Sequence, residues 1–157
     1  MSHTYCSVLL HCVCSTKERC RSIPFDLQPR LWAYIGGLAR EHGAKALAVG
    51  GYHNHVHILL SLPATKTIAD AMREIKAASS CEIKAASSWW MCHTGEVSAF
   101  EWQEGYGVFS LGPSQLEMAI AYINNQPEHH RRQSFDEEFL AILKKCQVDY
   151  SPKYVLG

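Results

Sequence analysis

The stretch Tyr52-His53-Asn54-His55-Val56-His57-Ile58-Leu59-Leu60 constrains this chain more than any other. From His55 onward it alternates with the period of two expected of a half-buried strand. Val56, Ile58 and Leu60 then point to one face of a sheet, and His55 and His57 to the other. Two residues apart on a strand face, their Cα atoms lie about 6.5 Å from each other, so both imidazoles can reach one ion. Imidazole suits a divalent metal and leaves positions open for water, a third ligand or substrate. A His-x-His pair taken alone also fits a solvated strand face, so a second element has to decide between the two.

The rest of the chain arranges itself around this strand. Tyr5 to Cys14 is nearly continuous in apolar residues and reads as a central strand buried on both faces. A polar loop from Ser15 to Arg21 carries Lys17, Arg19 and Arg21, which suits either phosphate or plain solvent. A helix follows, capped by Asp26, with Leu27, Leu31, Ile35, Leu38 and His42 at helical spacing and Gly43 at its end. Lys45 to Gly50 is a second strand, Gly50-Gly51 a turn and His55 to Leu62 the third strand, closed by Pro63. A second helix starts at Thr67, whose Thr-Ile-Ala-Asp sequence resembles a capping box.

Within that helix Glu74 to Ser80 recurs as Glu82 to Ser88, with Cys81 between. This tandem copy adds about two helical turns and rotates the second copy by roughly 80°, so only one copy keeps a given set of contacts. Trp89 to Val97 reads as a loop. Phe100 to Ser110 passes through glycines into a fourth strand, with Trp102 and Tyr106 read as core or turn residues. A capping box at Ser114 to Glu117 opens a helix that Pro127 kinks or ends just after Gln126. Leu116, Ala119, Ile120 and Ile123 form its buried stripe, and Met118, Tyr122, Gln126 and His129 a stripe turned away from the core. Ser134 to Glu137 caps a last helix carrying Phe139, Leu140 and Leu143.

The order strand, helix, strand, strand, helix, strand is the split βαβ plan. It predicts an α+β, ferredoxin-like fold: an antiparallel sheet with helices packed on one face, plus an additional C-terminal helix. The histidine pair faces away from the helices or toward the last one, according to register. No linker divides the chain, and 157 residues at 47% hydrophobic and 19% charged fit a single domain over 1–157. The lack of a long apolar run or signal-peptide pattern predicts a cytoplasmic protein with no membrane partner. The seven cysteines include no paired CxxC, which favours reduced thiols over disulfides or a zinc site. A net charge of zero with neutral histidines does not advertise a nucleic-acid binder, so composition is silent on the partner.

Three motifs in this order carry a resemblance: His55-Val56-His57, Trp102 to Ser110, and Tyr122-Ile123-Asn124-Asn125-Gln126-Pro127-Glu128-His129-His130. Together they resemble the small HUH-type single-tyrosine transposases, a group that includes the repeat-associated tyrosine transposases, over nearly the whole chain. The resemblance implies that His55 and His57 bind Mg2+ or Mn2+, that Tyr122 is the nucleophile and that Gln126 is the third metal ligand. It implies cleavage and rejoining of single-stranded DNA beside hairpin ends through a 5′-phosphotyrosine, commonly in a homodimer with shared active sites. Lys76, or Lys84 in the second copy, is then a DNA-backbone contact, and Lys17, Arg131 and Arg132 candidates for phosphates of the hairpin stem. The tandem copy and the neutral charge depart from the family pattern.

Two other readings stay open. A non-catalytic hairpin-binding relative would keep the fold without the chemistry. A histidine-triad-like nucleotide hydrolase would use His53, His55 and His57, but Asn54 stands where that motif has an apolar residue, and Tyr122 and Gln126 are left without a role.

Overall fold

The computed structural model describes residues 3–94 and 100–156, with side chains for 3–84 and 100–156. Four strands, β1 (Leu9–Ser15), β2 (Lys45–Tyr52), β3 (His55–Ser61) and β4 (Gly107–Leu111), form one sheet in the order β2-β3-β1-β4. All three pairings are antiparallel. Helix α1 (Gln28–Glu41) joins β1 to β2, and α2 (Ile68–Thr94) leads from β3 toward β4. This is the expected split βαβ architecture.

One face of the sheet packs on α1 and α2. Cys12 and Cys14 of β1 and Val56, Ile58 and Leu60 of β3 meet Leu31, Ile35, Met72, Ile75 and Ile83 in a single apolar cluster. The helices that follow β4 take the opposite face. Ile123 of α3 (Leu116–Asn124) packs on Ala48 and Leu59, while Phe135 and Leu143 of α5 (Phe135–Lys145) pack on Val13 and Phe109. Strand β3 is therefore buried on both sides rather than half-buried, and its histidines turn toward the late helices. Among the described residues, no helix is long and apolar enough to cross a membrane.

Several local expectations shift for identifiable reasons. Pro29 opens α1 after a 3₁₀ turn, so Asp26 lies in that turn and makes no cap. Gly43 ends the helix with φ +82°, as a glycine after a helix should. The hairpin turn is His53-Asn54, and Gly50 and Gly51 lie inside β2. Their role is close approach: a Cβ at Gly50 would sit 2.3 Å from the carbonyl oxygen of Ile123. Helix α3 thus lies directly on the strand that pairs Gly50 with His57.

Helix α2 begins as expected, with Asp70 N–H donating to Thr67 Oγ1, but continues to Thr94. Trp89 and Trp90 are helical in backbone instead of looped, and their side chains and residues 95–97 lie outside the described residues. The first copy of the tandem repeat keeps the core contacts: Ser79 is buried and accepts from Trp102 Nε1 at 3.0 Å. The second copy adds buried Ile83 and an Arg30–Glu82 ion pair to α1. Pro113 opens a 3₁₀ turn ahead of α3, where Gln115 Oε1 accepts from Gly112 N–H in place of the expected Ser114–Glu117 box. The expected Ser134–Glu137 capping box does form at the start of α5.

Candidate metal and tyrosine centre

Helix α3 stops at Asn124, and a short turn of helix, α4 (Gln126–His129), follows after Asn125. Pro127 has no N–H to bond the carbonyl four residues back. That carbonyl, on Ile123, is the one lying over Gly50. The break swings Gln126 inward, where it is fully buried beside His55. Tyr122 and Gln126 therefore meet across a break rather than along one helix. Their stripe is not uniformly turned outward: Met118 is 78% exposed, Tyr122 half-buried and Gln126 buried.

His55, His57, Gln126 and Glu138 converge in the dry layer between β3, α4 and α5. Burial, with the nearby His57 adding to it, holds His55 well below the usual histidine range, so this ring is neutral and carries one N–H. Its Nδ1 donates to Asn54 Oδ1 at 2.8 Å, which leaves the Nε2 lone pair facing Gln126 Oε1 at 2.9 Å. His130 approaches the same oxygen. Its Nδ1 donates to the carbonyl of Gln133 at 2.8 Å, and its Nε2 lies 2.9 Å from the same Gln126 oxygen. Two acceptors facing each other at such distances repel unless a cation lies between them.

The third imidazole completes the set. His57 Nε2 lies 2.8 Å from Glu138 Oε1, and its Nδ1 is 2.7 Å from His11 Nε2. Burial first, and then the charge of His57, lower His11 to about 3, so it stays neutral and can fix His57 in either tautomer. The ligand atoms of His55, His57, His130 and Glu138 all lie within 4.8 Å of one another. In each case the nitrogen that would not bind metal is held by an outer partner, the usual arrangement around metal-ligating histidines. The donor set fits a divalent ion.

Glu138 also ties the centre to the tyrosine. Its Oε2 accepts a short hydrogen bond from the Tyr122 hydroxyl and another from Gln126 Nε2 at 3.2 Å. Burial opposes ionisation of Glu138, but hydrogen bonds from His130 and His57 outweigh it and hold the carboxyl well below its usual range. Burial, and then the bond and charge of Glu138, push the Tyr122 phenol far up. At rest Tyr122 is a phenol donating to a carboxylate. Tyr122 lines a cleft of about 430 Å³ between α3, α5 and β4.

The four residues expected at the centre, His55, His57, Tyr122 and Gln126, thus come together within one chain. His53 does not join them; its ring bonds the carbonyl of Ile23, leaving a histidine-triad arrangement incomplete. The expected DNA contacts lie elsewhere. Lys76 donates to the carbonyls of Gln103 and Glu104 at 2.6 Å and sits over the Tyr106 ring, so its ammonium already holds the loop before β4. Lys84 lines the same shallow groove beside Arg73. Lys17 pairs with Glu101 and Arg131 with Glu128, all four exposed, and Arg132 is exposed.

Sequence reasoning assigns no role at the centre to Glu138, His130 or His11. A signal for Glu138 existed: it stands on the apolar stripe Phe135, Phe139, Ile142 of α5, where an unpaired acid is out of place. His130 hid in a run of polar residues, and His11 in an apolar strand.

The comparisons with known proteins bear on this geometry. A profile described as "Transposase IS200 like" matches residues 4–126, from before β1 through Gln126. The chain belongs to the IS200-like transposase family. Among solved structures, a protein described as a transposase from Deinococcus radiodurans R1 is 21% identical, with 80% of this chain and 95% of that one covered and a TM-score of 0.61. A REP-associated tyrosine transposase bound to a REP hairpin is 16% identical, with 83% and 73% covered and a TM-score of 0.55. Both show the shared fold. No curated protein matched. In this IS200-like transposase His130 and Glu138 lie beyond the matched residues.

Proposed function

We propose that this transposase cuts and rejoins single-stranded DNA beside hairpin ends through a covalent link between Tyr122 and a 5′-phosphate. The observation that carries the reading is the Tyr122 hydroxyl bonded to Glu138 within the cluster of His55, His57 and Gln126. His55, His57 and the Gln126 side-chain oxygen, with His130 and Glu138, would hold a divalent ion, Mg2+ or Mn2+. When bound, that ion offsets the charge developing on the non-bridging oxygens of the scissile phosphate.

Tyr122 supplies the nucleophile. Its oxygen bonds to phosphorus as the bond from phosphorus to the 3′-oxygen breaks; the phenolic proton leaves toward Glu138, and the departing 3′-oxygen takes a proton from water. The phosphotyrosine keeps the energy of the phosphodiester, so a later 3′-hydroxyl can displace Tyr122 and reseal the strand without ATP. Because one chain supplies both the tyrosine and the histidines, we assign cleavage to a centre completed in cis. In a homodimer sharing its sites α3 would be exchanged, and the Ile123–Gly50 contact would form between subunits.

The test is incubation with labelled single-stranded DNA carrying the hairpin of the protein's own locus, with Mg2+ or Mn2+, followed by denaturing electrophoresis. The expected result is a metal-dependent covalent band that drops by at least about 10³-fold in Tyr122→Phe. Intact hairpin binding with no adduct under any metal would instead identify a non-catalytic hairpin-binding protein. Mixing Tyr122→Phe with His57→Ala chains restores the band only if sites are shared in trans.

A further inference from the structure

The cleft that Tyr122 lines is larger than a phosphate needs. It is lined by Tyr122, His129 and Glu138 together with Phe109, Leu111, Ala141 and Ile142. At about 430 Å³ it falls in the size range of small-ligand sites. A second hollow of about 350 Å³ shares Met118, Tyr122 and His129 with it and is also lined by Ala121 and Asn125. Met118 borders both and is 78% exposed, an apolar side chain that the core does not use.

We propose that the α3–α5 cleft takes the unpaired base of a nucleotide adjoining the scissile phosphate, with Met118 against its face. This rests on the proposed chemistry at Tyr122. The metal-side groups His55, His57 and Gln126 are fully buried, so among the described residues a strand reaches Tyr122 through the hollows that Tyr122 lines. The strand runs on from both sides of the attacked phosphorus, and Tyr122 lines both hollows. The deeper one, with Phe109, Leu111 and Ile142, suits the flat apolar face of a base; the polarisable thioether of Met118 suits its π surface. Lys145 and Gln133 at the rim suit the next phosphate and a base edge.

The test is an abasic scan. Oligonucleotides lacking one base at each position in turn are offered to wild type and to Ala141→Trp, a substitution at an exposed position that fills the cleft. In wild type, loss of one base next to the mapped cut is expected to lower adduct yield by about tenfold or more. Ala141→Trp, with an unchanged melting temperature, is expected to lower the yield on intact DNA and erase that dependence. No response at either neighbour of the cut, or wild-type yield from Ala141→Trp, overturns the pocket. If wild type forms no adduct at all, the chemistry fails and the pocket is judged separately. The same scan then reads binding of the labelled oligonucleotides to Tyr122→Phe by fluorescence polarisation: one position weakening tenfold supports the pocket, and a flat profile overturns it.

Discussion

The two faces of strand β3 solve opposite problems with alternate residues. Toward α1 and α2, Val56, Ile58 and Leu60 join an apolar layer that includes the buried thiols of Cys12 and Cys14. Burial pushes the Cys14 thiol up to about 12, so it behaves as a small hydrophobe and not as a reactive thiolate. Toward α3 and α5, His55 and His57 are equally dry, yet their neighbours are Gln126, His130 and Glu138. The first face stabilises through dispersion and removal of apolar area from water. The second holds polar groups whose lone pairs oppose one another at Gln126. Equal burial thus serves stability on one side and the proposed reaction centre on the other.

Mutations on the two faces should differ in what they damage. Ile58→Ala is expected to destabilise the fold by about 2–5 kcal/mol, read by urea denaturation, while folded molecules keep their metal affinity. An Ile58→Ala protein that lost metal affinity per folded molecule would mean that the faces are not separable. Gly50→Ala places a Cβ on the Ile123 carbonyl, so it should destabilise by about 1–3 kcal/mol and, unlike Ile58→Ala, reduce adduct yield by lifting α3. Normal yield from a destabilised Gly50→Ala would break the link from β2 to Tyr122.

Glu138→Gln should lower Mn2+ affinity by about 10–100-fold in calorimetry with little change in far-UV circular dichroism. With three imidazoles in the set, Mn2+ should bind more tightly than Mg2+. Equal affinities would argue against ligation by His130.

The effect expected in acid is graded with pH. His11 sits at 6.5 when unfolded and about 3 when folded, so the unfolded chain binds more protons between those values. Stability of the chelator-treated protein should therefore fall as pH drops below about 6.5, by about 1.4 kcal/mol per pH unit for each such histidine. His11→Gln should flatten that slope; an unchanged slope would assign it to other groups.

The sequence by itself determined the order of elements, the central place of β3 and the alternation that separates its histidines from its aliphatics. These are short-range facts, set by a period of two, a period of 3.6 and the chemistry of proline, glycine and capping residues. It also supplied His55, His57, Tyr122 and Gln126 through their motifs. What it did not contain was the second cover of the sheet. The stripe Phe135, Glu138, Phe139 shows that α5 buries a face, but not that this face lies against β1 and β4, where Glu138 meets His57. Only the tertiary structure decided that, because pairing across 81 residues depends on how two packed surfaces fit. The same holds for Lys76, whose spacing suits a solvent-facing contact and whose ammonium is taken up by a loop 27 residues away.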